Sequence, residues 1–326
     1  MKKNYLLLLV PSFPFGRWIT GAILFVGLFL FFKLTSTVPM TAVVLFSTII
    51  ISYIIPIFSF ITEKSTEALD DLKDELELTD EAFIRVKTSI TQTTLLGNLI
   101  PPAVGLLLAL LHQSLIFGST LNLSLSDTRS AENFASFVGT ILIWITMTTV
   151  IYALTSNART FSKLAKNHVK IDLFQISKLL PFARVAIIST LALIGALTLF
   201  PILFFDSSTP LSGSLPGFFA TGVPIIIMLA LPIWPIHQRL ILAKRQVLTD
   251  VKQLINEATE KSPTQSFSKQ TIENIAPLLN YQSHLSQLST WPFDLSAVTR
   301  LLLYLVIPPL TWLGAALIEK GLDSVL

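Results

Sequence analysis

Seven long apolar stretches divide this chain of 326 residues into short, charged connecting segments. Each stretch has about the 20 residues that an α-helix needs to cross roughly 30 Å of hydrocarbon. Helices are expected because an open strand in lipid would leave its backbone groups without hydrogen-bond partners. The predicted spans cover residues 18–35, 41–61, 95–115, 134–154, 181–205, 216–236 and 295–318. The sequence therefore predicts an all-α integral membrane protein, a seven-transmembrane-helix bundle.

The distribution of Lys and Arg predicts how this bundle is oriented. If the N-terminus lies inside and the loops alternate, 20 of the 23 Lys and Arg residues fall on one side of the membrane. Basic residues in short loops resist translocation, so that side is predicted to be the cytoplasm. Hydrophobic residues make up 52% of the chain and charged residues 13%, an apolar surplus that lipid accommodates. We expect an inner N-terminus, an outer C-terminus and a plasma membrane of bacterial type.

The inner side is predicted to carry helical extensions of one membrane domain, residues 17–326, which follows a cytoplasmic or interfacial segment, 1–16. Residues 62–90 form an acidic helical loop with nine acidic and four basic side chains. Residues 155–180 form the basic loop. Together with Arg184, just beyond it, this loop has six basic side chains and one acidic side chain, Asp172. These opposite charges predict that the two loops dock on each other, although a plain topology signal is the alternative. Residues 237–290 predict a helical hairpin.

Prolines inside the spans are the best sequence evidence for a mechanism. Each frees a backbone carbonyl and bends its helix, which suits a hinge or a pore lining and equally an inert packing feature. We predict a pore near spans 6 and 7. The shared Ile-Pro-Pro of spans 3 and 7 also suggests a repeat of spans 2–3 in spans 6–7. The hinge or pore candidates are Pro101, Pro102, Pro224, Pro232, Pro308 and Pro309, with the polar residues Asn98 and Thr311.

A polar cluster just before span 7 predicts an ionic latch. Asp294 lies at the predicted inner interface, at the same level as Arg184 and Arg300. A salt bridge there would tie span 7 to span 5. The alternative is a capped helix start, because a carboxylate near a helix N-terminus interacts favourably with the helix dipole.

Motifs for catalysis and metal binding are missing from the sequence. It has no Cys, and no predicted span carries the mid-membrane Asp, Glu or His that coupled carriers use. The four His share no short ligand spacing, and there is no HExxH, GxSxG or Walker glycine run. We therefore expect no enzyme activity, no cofactor, no metal and no nucleic-acid partner.

Three stretches resemble uncharacterised bacterial multi-pass membrane proteins. They read PIFSFITEKSTEALDDLKDELELTDEAF, WPIHQRLILAKRQVL and TWPFDLSAVTRLLLYLVIPPLTWLGAALIE. This resemblance implies a membrane fold and no particular activity. At the level of topology alone, seven spans with a helical stalk before the last one also resemble insect chemoreceptor channels.

Taken together, these features favour a passive channel or facilitator that forms a homo-oligomer in the lipid bilayer. Two alternatives stay open. One is a non-catalytic accessory or assembly subunit of a membrane complex. The other is a membrane sensor that signals through its cytoplasmic helices.

Overall fold

The protein is a bundle of long helices. The computed structural model describes residues 2–35, 42–117, 128–204, 211–260 and 269–291, and the isolated helical positions 299, 303, 306 and 310. Two short strands, β1 (Lys2–Lys3) and β2 (Gln92–Thr93), pair antiparallel. The helices are α1 (Tyr5–Leu8), α2 (Gly16–Thr35), α3 (Ala42–Asp71), α4 (Asp80–Thr91), α5 (Leu95–Phe117), α6 (Thr128–Asn167), α7 (Leu180–Leu197), α8 (Leu211–Glu260) and α9 (Lys269–Gln287).

Six helical segments in the described residues are long and apolar enough to cross a membrane. They are Gly16–Thr35, Ala42–Asp71, Leu95–Leu115, Phe137–Asn167, Ile176–Leu203 and Phe219–Thr259. Each of the first six predicted spans overlaps one of them. The fold is thus an all-α bundle of the multi-pass membrane type. The seventh predicted span, residues 295–318, lies outside the described residues except for four isolated helical positions.

Three of these helices continue well past the ends of the predicted spans. Helix α3 runs on to Asp71, α6 to Asn167 and α8 to Glu260. Much of the predicted basic loop is therefore helical. Hydropathy marks where a helix leaves lipid, but its backbone hydrogen bonds continue as long as one face has something to bury. We call the part beyond the predicted spans the extension: residues 62–91, 155–180, 237–260 and 269–291.

The first hydrophobic core lies among the spans. Helices α3, α6, α8 and α7 pack in a ring, in which each contacts the next and α7 contacts α3. The ring is filled by bulky buried side chains, among them Phe46, Phe58, Leu197, Ile225 and Met228. Helix α2 packs outside on α3, and α5 packs outside on α6.

The outer helices expose apolar side chains, as expected for surfaces that face lipid. On α2, Trp18 is 80% exposed and Ile23 is 65% exposed. On α5, Leu107 and Leu115 are also largely exposed. In water such surfaces would favour aggregation, whereas in a bilayer they are solvated.

A second hydrophobic core lies in the extension, next to the first. Its buried side chains come from the ends of α3, α6 and α8, the start of α7, α4, α9 and the connecting segments. They include Ala68, Leu69, Leu72, Leu76, Phe83, Phe161, Leu164, Val169, Phe182, Leu240, Val251 and Leu285. The segments that connect the spans are therefore packed together, and they are not independent solvated loops.

Candidate functional site

The acidic and basic loops contact each other, as their opposite charges predicted. The backbone N–H of Glu77 donates to the carbonyl of His168 at 2.7 Å, and that of Lys170 donates to the carbonyl of Glu75 at 2.9 Å. These bonds flank an antiparallel bridge at Leu76. Backbone pairing therefore joins the loops at their tips, which charge patterning alone could not predict.

Two ion pairs connect the same loops. Arg184 Nη1 lies 2.7 Å from Asp71 Oδ2, and Lys178 Nζ lies 2.8 Å from Glu75 Oε1. Both side chains of the first pair are about half exposed, so water and salt screen the attraction. The Arg184–Asp71 pair therefore selects the register of docking more than it stabilises it.

The predicted latch involves Arg184, which in the structure pairs with Asp71 at the end of α3. Arg184 lies one turn into α7, which packs directly on α3. The contact with Asp71 was not predicted, because depth in the membrane does not specify which neighbouring helix a side chain faces, and the latch to Asp294 stays a prediction. Asp294 and Arg300 lie outside the described residues.

The hinge or pore candidates of α5 contact neighbouring elements, and their proposed roles stay predictions. The Asn98 amide donates to the backbone carbonyl of Lys3 at 3.3 Å, which fastens the N-terminal strand. The Thr148 hydroxyl of α6 donates to the carbonyl of Pro101 at 3.0 Å. Helix α5 continues through Pro101 and Pro102. One turn later, a Cβ atom on Gly105 would lie 2.7 Å from the Cα of Ile145, so this face of α5 presses against α6.

Helix α8 also continues through its prolines. Pro224 and Pro232 are both buried, so they face neighbouring elements. Near them, the Thr221 hydroxyl donates to the carbonyl of Gly217 at 3.0 Å. Pro308, Pro309 and Thr311, the remaining hinge or pore candidates, lie outside the described residues.

Several hydroxyl groups of α3 and α6 donate to a carbonyl of their own helix. This is the usual way to satisfy a hydroxyl in lipid, and it leaves less capacity to bind a permeating solute. Ser47, Thr48, Ser52, Thr62 and Thr149 all bond to the carbonyl four residues earlier.

The N-terminal segment is inserted into the bundle, which the sequence did not suggest. The Tyr5 hydroxyl lies 2.7 Å from the Thr149 hydroxyl, and Leu6 is buried in the first core. Thr149 donates to the carbonyl of Ile145, so Tyr5 is the donor to Thr149. Burial raises the pKa of Tyr5, which keeps this donor protonated.

Helix α9 is fastened to α8 by its C-terminal end. The Lys244 ammonium group donates to the carbonyls of Ser286 and Leu288, each at 2.7 Å, and so satisfies orphan carbonyls of the last turn. The ring of Trp291 stacks on His237 with 3.8 Å between ring centroids. The two helices of the predicted hairpin are therefore joined to each other at the end that lies near the spans.

An exposed aromatic patch joins the basic loop to α9. The Phe174 ring lies 6.0 Å from the Tyr281 ring and stacks on His284 at 6.3 Å. Phe174 is 53% exposed and Tyr281 is 40% exposed. We call these three residues the aromatic patch. Partly exposed aromatic side chains are enriched where proteins bind each other.

Among the described residues, no three His, Cys, Asp or Glu side chains are grouped so that they could hold a metal ion. Comparison of the chain with protein-family models, with curated proteins and with solved structures finds no match. The class of protein that the fold defines is a multi-pass α-helical membrane protein. The contacts described above are the evidence for its function.

Proposed function

We propose that the protein is a non-catalytic accessory or assembly subunit of a membrane complex, and that its extension is the docking element. The observation that carries this proposal is the second hydrophobic core. A chain whose connecting segments served only to join spans would gain little from burying Phe161, Leu240 and Leu285 outside the bundle. A packed extension presents a surface of defined shape, as a docking partner requires.

The aromatic patch is the proposed contact surface. It belongs to two segments that are distant in sequence, and it is held by the packing of α9 on α8. Aromatic residues at the centre of an interface contribute much of its binding energy, typically 2 kcal/mol or more each. Phe174 and Tyr281 are therefore the residues on which partner binding should depend.

The test is purification of the full chain from its native membrane in mild detergent. We expect a partner of defined stoichiometry that is retained by the wild type and lost by Phe174→Ala/Tyr281→Ala. The matched control is Leu242→Ala, which also removes an exposed apolar side chain from the extension. A monodisperse protein without any partner, or equal loss in the control, would refute the docking role.

The passive channel near spans 6 and 7 is the second candidate. It is favoured by the outward face of α8, where Phe219, Val223 and Ile226 are mostly exposed, leaving room for a neighbouring helix or another copy. Liposome flux of common ions and small neutral solutes tests it. Flux that is blocked by Val223→Trp, while the partner assay stays negative, would favour the channel over the accessory role.

The finer topology belongs to the same proposal: seven spans, an inner N-terminus and a bacterial-type plasma membrane. The absence of Cys makes this easy to test, because single Cys substitutions can be labelled without any background. A Cys at position 166 should react with an impermeant maleimide only after cell permeabilisation. A Cys at position 320 should react in intact cells, and the reverse pattern would overturn the orientation.

A further inference from the structure

The acidic and basic loops differ in how many of their charged side chains form salt bridges. Seven of the nine acidic side chains of residues 62–90 form salt bridges. The basic loop instead keeps four exposed cations that form no salt bridge with any described residue: Arg159, Lys163 and Lys166 on α6, and Lys170 after it. Three acidic side chains of the two loops, Asp74, Glu77 and Asp172, also form no salt bridge with a described residue, and they lie on the connecting segments. Residues 152–167 of α6 carry no Asp or Glu, so the surface that holds the three cations of α6 is positive.

These three cations share one face of α6. Their spacing of four and three residues places them in a row on a helix. Toward the bundle, the same row continues through Ser156 to Tyr152, whose side chain is partly exposed. Amphipathic Tyr side chains favour the membrane interface. The row therefore starts at the bilayer surface and runs outward from it.

The N-terminal strand brings two more cations to the same place. Lys2 and Lys3 are exposed on β1, which pairs with β2 just before α5. A Cβ atom on Gly97, in the first turn of α5, would lie 3.3 Å from the Tyr152 hydroxyl. The neighbouring Asn98 donates to the carbonyl of Lys3. Two distant parts of the chain thus place their cations around Tyr152.

We propose that the part of this basic surface nearest the membrane, formed by Lys2, Lys3, Arg159 and Lys163, binds the phosphates of anionic lipid headgroups. At 1.5 Å per residue, Arg159 lies ~10 Å and Lys163 ~16 Å beyond Tyr152 along α6. Helical side chains lean toward the N-terminus of their helix, and for α6 this is the membrane side. The long cationic side chains therefore extend back toward the headgroups.

A lipid fits this surface better than a soluble anion does. The surface begins where α6 leaves the bundle, and its cations lie on separate elements, as suits several headgroups in one leaflet. Each cation near an anionic bilayer contributes about 1 kcal/mol of binding free energy, so several cations together bind more strongly than one. If these cations served only to orient the spans, they would need to lie in a loop. The N-terminal strand would not need to be held beside them.

The experiment measures lipid binding to the purified full chain by native mass spectrometry in neutral detergent. The probes are phosphatidylglycerol, phosphatidylcholine and inorganic phosphate. The test variant is Arg159→Gln/Lys163→Gln. The matched control is Arg245→Gln/Lys252→Gln, which removes the same charge from exposed positions of α8 in the extension.

We expect phosphatidylglycerol to bind at least tenfold more tightly than phosphatidylcholine. The test variant should weaken it about 25-fold, from ~1 kcal/mol per cation and a factor of ten per 1.4 kcal/mol. The control should change it less than twofold. The separate variant Lys2→Gln/Lys3→Gln, which leaves α6 unchanged, should also weaken it. Equal loss in the control, no preference for phosphatidylglycerol, or full competition by inorganic phosphate would overturn the proposal.

Discussion

Phe161→Ala tests whether packing or charge holds the extension together. Phe161 is fully buried in the second core, and its ring meets that of Phe182 edge to face, with centroids 5.9 Å apart and planes at 90°. Removing a buried phenyl group costs about 3–5 kcal/mol, because the apolar contact is lost and a cavity remains. Losing one exposed ion pair such as Arg184 with Asp71 costs about 0.2–1 kcal/mol. The loss of stability on removing the Phe161 ring should therefore be several times the loss on removing the ion pair.

The assay is equilibrium unfolding in mixed micelles, followed by far-ultraviolet circular dichroism, with limited proteolysis of the extension as a local probe. Phe161→Ala should lower the free energy of unfolding of the extension by 3 kcal/mol or more, by the cavity estimate above. Phe161→Leu keeps most of the volume and should cost about 1 kcal/mol. Arg184→Gln should cost less than about 1 kcal/mol, with an effect that fades in high salt.

A double-mutant cycle isolates the ring pair. Phe161→Ala/Phe182→Ala should cost less than the sum of the single variants, with a coupling of about 0.5–1.5 kcal/mol for the edge-to-face contact. If Phe161→Ala costs no more than Arg184→Gln, the second core does not hold the loops together. That result would refute the reasoning, and charge would then be the main cause of docking.

Two further predictions concern the bundle. Gly105→Val should separate α5 from α6, because its Cβ atom would meet backbone atoms of α6. A cross-link between Cys residues at positions 101 and 148 should then form more slowly than in a Gly27→Val control, where a Cβ atom meets nothing within 4 Å. Tyr5→Phe should cost about 0.5–1.5 kcal/mol by removing the hydrogen bond to Thr149. Burial raises the pKa of Tyr5, so the stability that its protonated hydroxyl contributes is fully present below about pH 10. This stability is lost as the pH rises through the folded-state pKa. Thermal unfolding measured over a series of pH values would detect the loss.

Hydropathy predicted the first six helices well because the cost of burying backbone and charge in lipid is large and local. The amphipathic pattern after span 6 predicted that α8 continues outward, but hydropathy could not predict that the ends of α3, α6 and α8 pack on one another. That depends on side chains such as Leu72, Phe161 and Leu240, which meet only after the chain has folded.

The charges of the two loops predicted that they dock, but the sequence could not predict which residues contact each other. Opposite loop charges correctly indicated docking. The partner of Arg184 depends on which helices are neighbours, and the insertion of Tyr5 depends on a single hydroxyl pair with Thr149. The role of the prolines as hinges stays a prediction, because contacts in one conformation do not test bending. Helix α5 approaches α6 closely at Gly105, four residues after Pro101.

The location of the N-terminal segment has a consequence for synthesis in the cell. β1 pairs with Gln92–Thr93, and Tyr5 bonds a residue 144 positions later. At 5–20 residues per second, Tyr5 waits roughly 7–30 s for its partner to be made. Tyr5 thus reaches this contact only after α6 has been made, so the chain must keep the segment around Tyr5 near the membrane until the fourth helix of the bundle has been inserted.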